Sequence, residues 1–438
     1  MNILMIARYW DKRHGIASVR PKKIAKFLIK KGHNVVVLVD NDSDRDSLFE
    51  IEGCLVVPCF PSNFSRNDKS KKETKSSPKS DSNAKPKHKS FIFKLKRTIK
   101  GLLWTIYKTY IVNNRAKKNA NLAFKKLKKH NFKYDVIFSS YGPVDNHFLA
   151  YKFKKRQIKS VWIADFRDPI ANVGFQNKKV YRFNLNIQTK ITNHADLTTI
   201  VSETWKNEFM KAGSKNVRVL YSGFDKDDFL NYKKTTNNKL TFSYTGSLYR
   251  GLSDLSPFVD AIFDLVNEGI IKQDSVRINY AGPNSDVFCD QFNKLNSLVE
   301  INDYGFISRD KSLCLLFESD ILLHSLFCYK GYNGIITGKM GEYWEAHKPV
   351  LCIVTGDEHP QEFISIFSKS KVGFLFDGTR QTSTNELKDY IKSQYVKKIN
   401  HEDLIYDRNE QFINEFSYDN IITKLLSMIY ENEDINNE

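Results

Sequence analysis

A chain of 438 residues, 41% hydrophobic and 13% aromatic, is long enough for two or three domains and apolar enough to bury a large core. Its net charge of +18 is concentrated: residues 61–130 hold 21 Lys or Arg against 3 Asp or Glu, and the remainder carries 47 of each sign. A neutral fold with one basic segment argues against a general nucleic-acid surface and points to a local anionic partner. Six scattered cysteines with no Cys-x-x-Cys argue against a disulfide framework or a zinc site and fit a reducing compartment.

Met1 leads straight into Asn-Ile-Leu-Met-Ile-Ala, with no charged leader or cleavage site, and no apolar stretch approaches the roughly 20 residues of a membrane-spanning helix. Asn2–Arg8 reads as a buried strand, followed by a loop that contains Gly15. A helix is predicted from about Ser18, its N-cap, with Pro21 in the first turn and Ile24, Phe27 and Leu28 on one face. Gly32 closes it, and Val35–Val39 and Gly53–Phe60 read as further strands. Residues 62–90, rich in Ser, Lys, Asn and Pro, read as a disordered insertion. A helix is predicted next, with Ile92, Leu95, Ile99, Leu102, Ile106 and Tyr110 sharing a face and lysines beside it.

Strands resume at Tyr134–Ser140, Ser160–Ala164, Leu197–Ser202 and Val217–Ser222. A second series is predicted at Leu240–Thr245, Val276–Ala281, Ile321–Leu326, Pro349–Val354 and Gly373–Phe376, with helices between. Two successive βα series imply two doubly wound α/β domains, with ligands at the carboxyl ends of the strands. The expected division is an N-terminal domain over 1–228, with the basic insertion 61–130, a C-terminal domain over 238–415, and a terminal helix from 416 to 438 that crosses back.

The strongest chemical signal is Gly334-Ile-Ile-Thr337-Gly338-Lys339-Met-Gly-Glu342-Tyr-Trp-Glu-Ala-His-Lys-Pro349-Val-Leu. A glycine-bearing loop runs into a short helix and then a strand. Backbone N–H groups at a helix start suit a diphosphate, and Glu342, one turn in, could accept two vicinal hydroxyls, as on a ribose. On pattern alone, a surface glutamate favoured by the helix dipole fits equally well.

This segment resembles the donor-site signature of glycosyltransferase family 4, in the form Gly-Lys-x-x-Glu-Tyr followed by Lys-Pro-Val-Leu. Further matches follow in order: Ala17-Ser-Val-Arg20, Lys-Lys-Gly-His33-Asn-Val-Val-Val, Trp162-Ile-Ala-Asp165-Phe-Arg167-Asp168-Pro169, Ala195-Asp196-Leu-Thr-Thr-Ile-Val-Ser202 and Tyr244-Thr-Gly246-Ser-Leu-Tyr-Arg250-Gly251. Together they cover nearly the whole chain except about 61–130. The family's paired-glutamate motif has Gly334 in place of its first Glu.

The resemblance implies a GT-B fold, two Rossmann-like domains facing a central cleft. It also implies a cytoplasmic, metal-independent, retaining hexosyltransferase of capsule or lipopolysaccharide biosynthesis. No cofactor is expected to be tightly bound; the donor would be a nucleoside-diphosphate sugar, with a UDP-sugar the first expectation. Glu342 would hold the ribose. Gly15, Thr337, Gly338, Lys339 and Arg250 would face the phosphates, Arg250 stabilising the leaving diphosphate. Tyr304-Gly-Phe-Ile307 would pass beside the base. No convincing Asp-x-Asp metal motif is present. Asp165 and Asp168 sit where a carboxylate could take the acceptor's proton, although Arg167 could instead pair with either to brace the loop. Arg20 and His147 could line the acceptor side, or be an exposed helix arginine and a structural histidine. His324, in an apolar strand, reads as a core residue.

The expected partners are a nucleotide sugar, a glycan or lipid-linked acceptor, and an anionic membrane surface met by 61–130 at the inner face, with no nucleic acid. An ordinary packed helix over 91–112 is the alternative for that segment. A nucleotide-sugar epimerase of the same architecture, or a non-catalytic protein that binds through 61–130, are the rival functions.

Overall fold

The computed structural model describes residues 1–10, 17–40, 49–51, 53–61, 91–128, 130, 132–174, 176–229, 238–380 and 383–437. Gly15 and the 62–90 insertion therefore lie outside the described residues. The chain divides into two compact units: Met1–Thr199 with Ala212–Val217 and Asn432–Glu438, and Ile200–Lys211 with Arg218–Glu431.

The first sheet has eight strands: β1 (Asn2–Ile6), β2 (Asn34–Asp40), β3 (Phe49–Ile51), β4 (Cys54–Phe60), β5 (Val136–Ser140), β6 (Val161–Phe166), β7 (Leu197–Ile200) and β8 (Val217–Val219). Their order is β3-β4-β2-β1-β5-β6-β7-β8. The register is parallel from β4 through β2, β1 and β5 to β6, and β3 pairs antiparallel with β4. Chain order reverses between β1 and β5, so the switch point, where open α/β sheets bind ligands, lies at their carboxyl ends.

The second sheet has six parallel strands: β9 (Leu240–Thr245), β10 (Val276–Ala281), β11 (Glu300–Asp303), β12 (Ile321–Cys328), β13 (Val350–Gly356) and β14 (Gly373–Asp377), in the order β11-β10-β9-β12-β13-β14. Its switch point lies between β9 and β12. Both faces are covered, which explains the unbroken apolar runs. Ile321, Leu323, Leu351 and Ile353 point into one core, packed with Phe242, Phe258 and Phe292. Leu322, Leu326, Val350, Cys352 and Val354 point into the other, with Trp344, Phe363 and Phe416. The alternation is the two-residue period of a strand.

Every predicted strand is present, β9 and β10 over the predicted residues. Two strands escape the pattern. The edge strand β11 is Glu-Ile-Asn-Asp and only partly buried; a cross-strand ion pair, Arg277 Nε to Glu300 at 2.7 Å, helps hold it. The other is the three-residue β3. Ser18 does precede the helix Val19–Lys30, but its side chain forms no capping bond. The basic helix is longer than the large apolar residues suggest: it runs Phe91–Leu127. Its second half packs through Ala116, Ala120, Ala123 and Leu127, small residues at three- and four-residue spacing that allow close approach.

Candidate functional site

At the switch point of the second sheet the chain leaves β9 through Gly246, with φ +105°. A Cβ there would lie 2.5 Å from Lys339 Cε and 2.7 Å from its Nζ. One at Gly282, just past β10, would meet the Gly246 carbonyl oxygen at 2.1 Å. The two glycines thus let two strand ends close together and leave a slot that the Lys339 side chain fills. Its ammonium donates to Tyr244 Oη at 3.1 Å and sits 4.4 Å from that ring's centroid, a cation–π contact. Burial holds the amine below the usual lysine range, opposed by Tyr343, Tyr249 and Glu342.

Lys339 opens the helix Lys339–Glu345, with exposed Gly338 as its N-cap. The helix has seven residues, and the Met340 N–H donates to the Thr337 carbonyl at 3.2 Å. With so short a helix dipole, the lysine is the stronger attraction for an anion here. Thr337 Oγ1 lies 3.2 Å from Nε2 of His324. His324 is buried in β12, and desolvation, with Lys339 adding to it, pushes its pKa down to about 3, so the ring is neutral. It is a core residue as expected, with Nδ1 unpartnered among the described residues.

One turn on, Glu342 Oε1 accepts from Arg309 Nη2 at 2.9 Å, and the same nitrogen lies 3.0 Å from Asp228 Oδ2. The two carboxylate side chains are each 18% exposed. Burial pushes the Glu342 carboxyl above the usual range; Arg309 pulls it back, Asp228 pushes it further up, and Lys339 favours the ionised form. Among the described residues no hydrogen bond engages Glu342 Oε2.

Arg250 stands apart. Its side chain is 62% exposed, with Nη1 2.8 Å from Asp290 and Nη2 3.0 Å from Asp286, both on the helix Ser285–Phe292. No described hydrogen bond or ion pair joins it to Lys339 or Glu342. Tyr304 and Phe306 are exposed at the end of β11, where Gly282 N donates to the Gly305 carbonyl at 2.9 Å.

In the first unit, Asp165 is wholly buried in β6. Arg20 Nη2 and Nε approach it at 2.8 and 3.1 Å, Thr199 Oγ1 donates at 2.9 Å, and Ser140 Oγ at 3.5 Å. The brace of this motif is therefore Arg20 on Asp165, rather than Arg167 on either aspartate. With Arg20 buried and Asp165 enclosed, neither presents a free group to an acceptor. His147 likewise corrects the expectation of a cleft residue. It is fully buried, its Nδ1 is 2.8 Å from Ser139 Oγ, its ring is 4.6 Å from that of Phe166, and desolvation lowers its pKa to about 3. Asp168 is exposed. Arg167 lies over Gly142, where a Cβ would come within 2.9 Å of its Nη2, and its Nε is buried without a partner among the described residues.

Sequence reasoning missed Arg309, Asp228, Tyr244 and Gly282 as members of the cluster around Lys339 and Glu342. Tyr244 and Gly246 share one quoted motif, which carried the signal; nothing in the sequence pairs Arg309 with Glu342.

The sequence matches no family model and no curated protein. Solved structures are similar over the whole chain. A glycosyltransferase from Rickettsia africae matches with a TM-score of 0.55 at 14% identity, covering 98% of each chain. The α,α-trehalose 6-phosphate synthase of Burkholderia multivorans gives 0.59 at 9%, again covering 98% of each. A structure of trehalose-6-phosphate from E. coli bound with UDP-2-fluoro glucose gives 0.60 at 12%, covering 98% of this chain and 99% of the other. These likenesses establish the fold class: the chain has the GT-B fold, two Rossmann-like units built on parallel sheets.

Proposed function

We propose that the chain is a glycosyltransferase of the family 4 type. It moves a sugar from a nucleoside-diphosphate sugar, a UDP-sugar foremost, to a hydroxyl of a glycan or lipid-linked saccharide in surface polysaccharide assembly, with retention and without a metal. The observation that carries this reading is the pairing of Lys339 and Glu342, one helical turn apart, at the switch point of the second sheet. Lys339 supplies a fixed cation for the diphosphate, and Glu342 Oε2 an acceptor for the ribose hydroxyls. As the glycosidic bond breaks, negative charge gathers on the leaving diphosphate, and a cation already in place stabilises it. Arg250 joins from its surface pair, because exposed ion pairs are weak and release readily. Asp168 and Arg167 serve the acceptor side, Asp168 as the exposed carboxylate able to take a proton. The proposed division is into domains over 1–228 and 238–415, with 416–438 crossing back, although residues 200–211 and 218–229 pack within the second compact unit.

The basic helix would meet an anionic leaflet. Tyr107, Tyr110, Ile111 and Val112 are exposed among lysines and arginines, a composition suited to a headgroup zone, where each cation contributes about 1 kcal/mol. No helix among the described residues is long and apolar enough to cross a membrane.

The first test is thermal stabilisation by UDP, GDP, dTDP and CMP, beside Glu342→Ala. A nucleotide at 100 times its Kd adds about 2.7 kcal/mol of stability. One nucleotide stabilising the wild type, with a much smaller response in the variant, is the expected result; a folded protein that answers to none sinks the reading. Salt-sensitive binding to anionic vesicles but not to RNA is expected of the basic helix.

A further inference from the structure

Glu342 is an odd choice of ribose ligand when taken alone. It is mostly buried, and a second carboxylate, Asp228, shares its neighbourhood. Two such groups cannot both stay ionised without a counter-ion. Among the described residues Arg309 is ion-paired to both: it is the first residue of the helix Arg309–Glu318, and its Nη2 lies 2.9 Å from Glu342 and 3.0 Å from Asp228. Its Nε is buried and unpartnered among the described residues, so the guanidinium faces the carboxylates through its other end. The bond to Arg309 uses Oε1 and leaves Oε2 available.

We infer that Arg309 is a positioning residue of the nucleotide site: it holds Glu342 ionised and aimed, with Asp228 fixing the guanidinium from the other side, so that Glu342 accepts from a vicinal diol. This rests on the donor-site reading above. The charged groups around Glu342 are Arg309, Asp228 from the 3₁₀ turn Lys226–Phe229, and Lys339 from its own helix. Burial and Asp228 push the Glu342 carboxyl up and Arg309 opposes both. Without Arg309, Glu342 takes up a proton at a higher pH and loses its strength as an acceptor. Removing Asp228 as well relieves part of that push.

The readout is the ratio of Kd for a 2′-deoxynucleoside diphosphate to that for its ribo partner, measured for UDP, GDP and ADP from pH 6 to 8.5. The titration of the diphosphate cancels in this ratio. A hydroxyl donated to an ionised carboxylate is worth about tenfold or more. The wild type should hold about that ratio across the range. Arg309→Met should show a smaller ratio than the wild type, with the deficit growing as pH falls. Asp228→Asn with Arg309→Met should recover at lower pH than Arg309→Met alone, Arg309→Lys should keep much of the ratio, and Glu342→Gln should stay near one at every pH. A folded Arg309→Met whose ratio equals the wild type's at every pH measured overturns the inference. Should that variant not fold, a pH-independent loss of the ratio in Arg309→Lys does so instead. A wild type that binds no nucleotide removes the donor-site reading itself, and this inference with it; one that binds nucleotide without telling ribose from deoxyribose overturns this inference and leaves the donor site standing.

Discussion

Replacing Gly246 by Ala probes whether the slot at the end of β9 works as described. The backbone there has φ +105°, a conformation that L side chains rarely adopt, and holding an alanine in it costs about 1–3 kcal/mol. The new Cβ would also stand 2.5 Å from Lys339 Cε, so the lysine must leave its place. Displacement loses the 3.1 Å bond to Tyr244 Oη, about 0.5–1.5 kcal/mol, and the contact with the ring face, about 0.5–2 kcal/mol. The variant should therefore lose about 2–6.5 kcal/mol in urea unfolding, together with most of its nucleotide affinity. In a Lys339→Ala background the methyl group meets no lysine, so the same substitution should cost the backbone strain alone, leaving a coupling of about 1–3 kcal/mol between the sites. Nucleotide affinity, already reduced by Lys339→Ala, should fall little further. If Gly246→Ala costs the same stability and the same affinity in both backgrounds, Lys339 is not the group in the slot. Gly282→Ala should be harsher still, because its Cβ would strike a backbone carbonyl that cannot swing aside.

Three other outcomes follow from the same geometry. Arg20→Met leaves Asp165 buried without its cation and should cost about 3–5 kcal/mol in urea unfolding; adding Asp165→Leu should return part of it, because the uncompensated charge is then gone. Arg250→Ala removes only exposed pairs, so the urea midpoint should be unchanged, while sugar transfer falls about ten- to a hundredfold in kcat/KM; an unchanged rate would remove Arg250 from the site. His147 and His324 are neutral in the fold, with pKa values near 3, and take up protons near pH 6.5 once unfolded. The unfolded state then binds more protons below pH 6.5, so stability should fall with pH, by about 2 kcal/mol for each histidine between pH 7 and 5. His147→Gln should flatten that slope, as read from unfolding curves at several pH values.

The doubly wound architecture was legible because parallel strands covered on both faces must be apolar along their whole length, and short runs such as Val35–Val39 and Val350–Val354 stand out between polar helices. The strands that stayed hidden are those this rule does not govern. β11 is an edge strand, and its Glu300 faces Arg277 across the ladder instead of a core. The later half of the basic helix was hidden for a related reason: it packs through alanines, which carry little hydrophobic signal yet bury completely when a neighbour comes close.

The site divides along similar lines. Lys339 and Glu342 lie on one helical turn, so a local pattern could place them together, and the fold does bring that turn to a sheet switch point. Arg309 reaches Glu342 across 33 positions and Asp228 across 81, and no spacing rule connects them. The Asp-Phe-Arg-Asp motif shows the opposite difficulty, in which neighbouring residues have different fates. All six residues of β6 are buried, so no alternation of faces marks Asp165 as interior, while Asp168, two residues past the strand's end, is exposed. What separates them is where the strand stops and which cation waits inside. Arg20, from a helix 145 positions away, is the cation that pairs with the buried Asp165.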